Sequence, residues 1–379
     1  MRGGSWDIFC TVVDNFGDIG VTWRLAKQLA REHRREVRLW VDDLAAFAAL
    51  CPQADRFAAQ QWHEGVEVRQ WPRRARAAEP AEVVIEAFGC RLPEEYEAAI
   101  ANDSRSLWLN LEYLSAEDWV GNCHGLPSLQ PNGVRKYFFF PGFVSGTGGL
   151  LREGDLVDRR VAFQQDPAAQ TAFLSSLGVA RVSGARLVSL FAYENPALGS
   201  WLDAMSSDRR ATQLLVPQGR IGTSLAAWLG VETVRAGEHF LRGALTIQVL
   251  SFLSQDDYDR LLWCCDFNAV RGEDSFLRAQ WAGRPLLWHI YPQQDDAHWD
   301  KLEAFLGIYL EALPGPARTA MDALWRAWNA DGAMGAAWTE LLHHEAELNE
   351  HAERWCAALA AQEDLAAQLL AFCRAIARH

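Results

Sequence analysis

The sequence predicts an α/β protein of two doubly wound lobes, each built on a mostly parallel sheet. Three observations predict it. Apolar strand patterns alternate with amphipathic helical patterns along most of the chain, the order that parallel sheets require. At 379 residues and 50% hydrophobic content, the chain is long for one core and comfortable for two. A glycine-rich stretch, 141–154 (PGFVSGTGGLLREG), interrupts the alternation, which then resumes. It reads as the linker.

Residues 6–13 read as a buried strand, and 21–33 as a helix with Leu25 and Leu29 four apart on one face. A second strand at 37–41 ends at Asp42-Asp43, which can cap a helix over 44–50. Further strands are expected at 66–70, 83–87, 107–111 and 137–140. This first lobe spans 1–150 and carries an Asp-bearing loop after its first strand. In the second lobe, 151–379, strands are expected at 187–191, 214–216, 245–249, 267–270 and 286–289. From Met321 onward the pattern is almost wholly helical and is assigned to the same lobe. Two facing sheets place a ligand at the strand carboxyl ends, in the cleft between the lobes.

Composition excludes several classes. A net charge of -13 argues against a nucleic-acid partner, whose affinity depends on neutralising phosphates. The basic clusters at 31–35 and 69–76 read as solvated faces. No run approaches eighteen uncharged apolar residues, and the start of the chain lacks the apolar core of a secretory signal, so no membrane partner is expected. Eight cysteines without CxxC spacing read as reduced packing residues of a cytoplasmic protein. The seventeen tryptophans, such as Trp325 and Trp328, fall mostly inside amphipathic patterns and read as core.

Three loops carry candidate chemistry. The first, Asp14-Asn15-Phe16-Gly17-Asp18-Ile19-Gly20, follows the first strand and holds two carboxylates, with Gly17 and Gly20 allowing close ligand approach. Asp14 could instead satisfy loop backbone, and Asp18 could cap the helix. The second, Phe191-Ala192-Tyr193-Glu194-Asn195, offers aromatics at a strand end that suit a nucleobase face, though Phe191 could simply continue the core. The third, Arg271-Gly272-Glu273-Asp274-Ser275, opens a helix that Gly283-Arg284-Pro285 closes before another buried strand. Such a turn aims backbone N–H groups and a helix dipole at a diphosphate, and Arg271 can grip phosphate oxygens at two points. A helix-capping network of Arg, Glu and Asp is the plainer alternative.

The strand–loop–helix–GRP–strand unit is the one that two-lobed GT-B glycosyltransferases use to hold a sugar nucleotide. Asp295-Asp296-Ala297-His298 and His343-His344 read better as a helical first turn and a solvated helix face than as metal ligands. No metal and no cofactor are expected. Arg271 and helix N–H groups would carry the charge of the leaving diphosphate.

With these loops in view, the chain resembles the bacterial elongation factor P arginine rhamnosyltransferases. The residues that carry the resemblance are SWDIFCTVVDNFGDIGVTWRLAKQLA, RLWVDDLAAF, SLFAYEN and NAVRGEDSFLRAQWAGRPLLWHIYPQ, and it extends over essentially the full length. It implies a GT-B fold, a dTDP-β-L-rhamnose donor and an inverting transfer to one arginine of elongation factor P. It further implies Asp18 as general base, Asp14 holding the acceptor guanidinium or the loop, and Glu273 completing an acidic cage or positioning the rhamnose. Phe191 and Tyr193 would hold the thymidine end with Gln255 nearby, while Arg271, Asp274 and Ser275 hold diphosphate and sugar. Asn15, Phe16 and Gly17 would approach the donor from the first lobe. Two alternatives stay open: a GT-B enzyme with a lipid or saccharide acceptor, and a non-catalytic nucleotide-sugar-binding protein.

Overall fold

The computed structural model describes residues 4–13, 16–71, 79–103, 105–292 and 296–377. Asp14 and Asn15, both expected at the site, lie outside the described residues, as do 293–295 and most of the basic cluster 69–76. The chain divides into two units, 1–154 with 360–379, and 155–359. The final helix, Leu365–Ile376, therefore belongs to the first unit, not to the second as expected. Its Phe372 ring meets Phe139 at 5.6 Å and Tyr137 at 5.7 Å, and Asp364 accepts from the Gln28 amide at 3.1 Å. Helical periodicity identified the element; only packing decided its lobe.

The first unit is an eight-stranded sheet. Its strands are β1 (Ser5–Cys10), β2 (Glu36–Val41), β3 (Gln60–His63), β4 (Val66–Gln70), β5 (Val83–Ala87), β6 (Leu107–Leu111), β7 (Pro127–Leu129) and β8 (Arg135–Phe139), in spatial order β3-β4-β2-β1-β5-β6-β8-β7. The six inner strands are parallel, while β3 and β7 pair antiparallel at the two edges. β1 lies at the centre because its residues from Trp6 to Cys10 are all buried, which a strand covered on both faces requires. Even Asp7 is buried there, held by the Arg38 guanidinium, the Trp40 indole N–H and the Ala81 amide. Phe9, Trp40, Tyr96 and Trp108 form the adjoining core.

The second unit holds β9 (Arg186–Leu190), β10 (Thr212–Pro217), β11 (His239–Arg242), β12 (Leu245–Leu250), β13 (Phe267–Arg271) and β14 (Leu286–His289), in order β11-β12-β10-β9-β13-β14. All pairs are parallel except the β11–β12 edge hairpin. Trp325 and Trp328 are both 0% exposed, as their amphipathic spacing predicts. In each sheet the winding reverses beside the first strand, between β1 and β5 and between β9 and β13. Ligands of doubly wound sheets bind at the carboxyl ends of such a pair.

Two expectations need correction. Strand β1 ends at Cys10 instead of reaching residue 13, because side chains claim the following amides: Val12 N–H donates to Asp42 Oδ1 (2.9 Å) and Val13 N–H to Asp18 Oδ2 (2.8 Å). The 141–154 stretch is not a slack spacer. Phe143, Leu150 and Leu151 are buried in it, Leu150 bridges to Asp364, and a Cβ at Gly142 would sit 2.7 Å from Thr147 Oγ1. Its glycines permit close packing, more than they confer freedom.

Candidate functional site

At the switch point of the first unit, the helix Gly17–Arg31 begins four residues before the predicted start. Gly17, Asp18 and Gly20 are thus helical, and Gly20 N–H donates to Phe16 O at 2.9 Å. Phe16 occupies the N-cap position without a side-chain capping bond. Asp18 is no cap. It sits one residue into the helix, 2% exposed, where a carboxylate interacts favourably with the dipole. Its Oδ2 accepts from Val13 N–H, and its Oδ1 accepts from the Tyr113 hydroxyl at 3.1 Å. Tyr113 stacks on Phe88 with centroids 4.5 Å apart. Phe88 follows β5 with φ of 59°, a left-handed conformation that costs an aromatic residue energy and recurs at functional sites. Tyr113 and Phe88 escaped the sequence reading. Their signal was position, immediately past the carboxyl ends of two central strands.

At the switch point of the second unit, Arg271 is the last residue of β13 and only 7% exposed. Its guanidinium carbon lies 4.6 Å over the Phe191 ring and 4.7 Å over the Tyr193 ring. Its Nε and Nη1 are buried without a hydrogen-bond partner. Buried guanidinium nitrogens without an acceptor are costly, and an anionic oxygen is the kind of group that would satisfy them.

Gly272 then turns the chain with φ of 58°, where a side chain would be strained. Glu273 takes the N-cap position of the helix Asp274–Trp281, and Asp274 sits in its first turn. Ser275 clasps this turn: its hydroxyl accepts from Arg271 N–H at 3.2 Å and donates to Arg271 O. The helix is fixed from behind by a buried ion pair, Arg278 Nε to Asp259 Oδ1 at 2.9 Å and Nη2 to Oδ2 at 2.6 Å. Asp259 belongs to the helix Gln255–Cys264, so this pair ties the Ser275 helix to the one carrying Gln255 and Tyr258. Composition could not single it out.

Phe191 and Tyr193 diverge. Phe191 is half-buried and meets Tyr258 edge-on at 5.6 Å, on the Gln255 helix. Tyr193 packs on the other side, against His289 (5.3 Å) and Tyr291 (5.5 Å), with the Arg220 guanidinium 5.6 Å over its face. Asn195 is structural: its amide N–H₂ donates to Trp328 O at 2.8 Å and its Oδ1 caps Ala197 N–H at 2.7 Å. His289 ends β14 in register with Arg271. Burial, then Arg271 and Arg220, push its pKa down to about 4, so the ring is neutral at physiological pH. Tyr258, Arg220 and His289 were all missed. Each follows from one rule, that the carboxyl ends of parallel strands and the helices after them line the site.

Among the described residues no group of three or more His, Cys, Asp or Glu is placed to hold a metal ion, and no helix is long and apolar enough to cross a membrane. None of the eight cysteines is in a disulfide.

The family model described as Elongation-Factor P (EF-P) rhamnosyltransferase EarP matches residues 6–374. The chain belongs to this family. A relative in Pseudomonas putida, named protein-arginine rhamnosyltransferase, is 62% identical over 371 residues and covers 98% of each chain. A solved structure concerning EarP-mediated arginine glycosylation of translation elongation factor EF-P is similar with a TM-score of 0.72 and 47% identity, over 98% of this chain and 99% of that one. As a member of the EF-P rhamnosyltransferase family, the protein is a glycosyltransferase. With MurG of Acinetobacter baumannii it shares the fold alone, at a TM-score of 0.53 and 12% identity over 100% of both chains, in keeping with the GT-B class expected from the sequence.

Proposed function

We propose that this protein transfers rhamnose from dTDP-β-L-rhamnose to one arginine side chain of elongation factor P, with inversion and without a metal ion. The observation that carries the donor half is the buried Arg271 guanidinium beside a helix N-terminus, whose Nε and Nη1 have no hydrogen-bond partner. A sugar nucleotide brings diphosphate oxygens that can accept from them, with Asp274 and Ser275 at the same turn. The family supports rhamnose and the protein acceptor. Phe191 and Tyr193 are assigned to the thymidine end, with Gln255 on the helix whose Tyr258 meets Phe191 edge-on.

The acceptor sets the chemical problem. An arginine side chain keeps its proton up to a pKa of about 12.5–13.8, so its nitrogen is a poor nucleophile. Asp18 is assigned as general base, accepting an N–H proton while the guanidinium nitrogen forms its bond to the sugar C1. The C1–O bond breaks on the opposite face and its electron pair leaves with the diphosphate, where Arg271 and helix N–H groups receive the charge. One displacement of this kind inverts the anomeric centre. Val13 N–H and the Tyr113 hydroxyl fix the orientation of the Asp18 carboxylate. Asp14 is assigned to the acceptor guanidinium or the loop, Glu273 to the acidic cage or the rhamnose, and Asn15, Phe16 and Gly17 to the donor from the first unit. We assign the reaction to the cytoplasm, the setting of a translation elongation factor.

The test is the intact mass of purified elongation factor P after incubation with this protein and dTDP-rhamnose. A gain of one deoxyhexose, mapped by fragmentation to a single arginine, is expected. No gain, with dTDP binding shown separately, would keep the donor site and remove the acceptor.

A further inference from the structure

The loop that follows β5 in the first unit has an unusual backbone. Phe88 and Gly89 take consecutive left-handed conformations, with φ of 59° and 67°. For an aromatic residue that conformation persists only where its surroundings impose it. Two buried side chains from neighbouring strands hold the loop. Asn110 of β6 is 4% exposed, and its Oδ1 accepts from Gly89 N–H at 3.2 Å. Glu86 of β5 stands beside it in register. The Glu86 Oε1 accepts from Leu92 N–H at 3.4 Å, and its Oε2 from Lys136 Nζ at 2.7 Å.

A buried asparagine in a central parallel strand is costly unless its amide is satisfied. Asn110 is satisfied at both ends, because its Nδ2 donates to Glu112 Oε1 while its Oδ1 takes the Gly89 amide. The strand itself has no need of a polar side chain: the neighbours Leu109 and Leu111 are both 0% exposed. The amide serves the shape of the loop, and the consequence of that shape lies in Phe88. With the chain turned left-handed, the Phe88 ring stacks on Tyr113, centroids 4.5 Å apart, and the Tyr113 hydroxyl donates to Asp18 Oδ1 at 3.1 Å. Tyr113 is only half-buried, so the Phe88 face is a wall that sets where its hydroxyl points. Asn110 thus reaches Asp18 through contacts in series, amide to Gly89, ring to ring, hydroxyl to carboxylate.

We propose that Asn110 is a positioning residue for the transfer, holding Phe88 in its left-handed turn so that Tyr113 keeps the Asp18 carboxylate aimed. The inference rests on the reading of Asp18 as the base and names what aligns it. Asn110 acts through Phe88 and Tyr113, and its loss is felt in the rate of transfer, not in donor binding.

Single-turnover transfer to elongation factor P, measured on Asn110→Ala, Tyr113→Phe and the double variant, tests it, with Asp18→Asn alongside. Asn110→Ala should lower the transfer rate about three- to tenfold, the effect of one net hydrogen bond. Its affinity for dTDP-rhamnose should stay within about twofold, the signature of a loss confined to the chemical step. In the Tyr113→Phe background the same substitution should cost less than about a further twofold, because groups that act in one series are not additive. A general loosening of the fold would instead multiply with Tyr113→Phe. Multiplying losses, or no loss in Asn110→Ala, overturn the positioning role and leave Asp18 as the base. Full activity in Asp18→Asn overturns the base reading, and this inference with it. Should Asn110→Ala fail to fold, Phe88→Gly carries the same comparison with the same outcomes, since glycine takes a φ of 59° without strain and removes the stacking ring.

Discussion

The guanidinium of Arg271 lies 4.6 Å over the ring of Phe191. Phe191, one residue past the end of β9, therefore presents its ring face to a buried cation. A cation over an aromatic face is stabilised by roughly 0.5–2 kcal/mol, most when desolvated, and Arg271 is well buried. Phe191→Ala should weaken dTDP binding by about tenfold, through a loosened Arg271 as well as a lost stacking face. Calorimetry with dTDP checks this; unchanged affinity would detach Phe191 from the donor site.

Asp18 and Tyr113 form a second such pair. If Asp18 is the base, Asp18→Asn should leave dTDP affinity intact and lower transfer by about 10²–10⁴-fold. Tyr113→Phe removes one of the groups orienting that carboxylate and should lower kcat by a smaller factor with little change in KM for the donor. Single-turnover rates on both variants decide it, and full activity in Asp18→Asn would take Asp18 out of the mechanism.

Arg278→Met should be severely destabilising although it lies behind the site. It leaves Asp259 as a buried charge without its bidentate partner, which costs on the order of 3–5 kcal/mol. Chemical denaturation followed by tryptophan fluorescence should show the loss. A near-neutral result would mean that the pair between the two helices contributes little.

Stability should fall on acidification, in part through His289. Its folded pKa of about 4 lies below the unfolded value of about 6.5, so the unfolded chain binds the extra proton between those values. The contribution is fully present above pH about 6.5 and is lost progressively as the pH falls toward 4, at no more than about 1.4 kcal/mol per pH unit. His289→Phe should flatten the pH dependence of unfolding in that window and leave it unchanged at higher pH. An identical slope in both proteins would show that the imidazole is not held neutral.

Nucleotide choice is read by thermal shift. A ligand at a hundred times its Kd stabilises the state it binds by about 2.7 kcal/mol. At matched concentrations dTDP should raise the melting temperature more than UDP or GDP. Equal shifts would leave the thymidine assignment without support.

Much of this protein was legible in its sequence, and the reason is periodicity. Strands buried on both faces stand out as apolar runs, so 83–87, 107–111 and 286–289 are legible and the structure returns them as β5, β6 and β14 with the same ends, while 66–70, which alternates, returns as β4. The Asp43 cap of the 44–50 helix was equally readable: it accepts from Ala45 and Ala46 N–H. The Arg271–Ser275 turn was legible because glycine, a cap position and the GRP closure are local features. The edge strands β3, β7 and β11 were not. Each is three or four residues, largely exposed and paired on one side only, so no apolar pattern marks them.

What only the tertiary structure decided are pairings between residues distant in sequence. The last helix, Leu365–Ile376, joins the first unit through Phe372 and Asp364. Asp18 meets Tyr113 across 95 residues, and Arg278 meets Asp259 across 19. Local sequence records propensity and the hydrophobic face of each element. Which side chains then converge depends on strand order, and strand order is set by how whole sheets bury their faces.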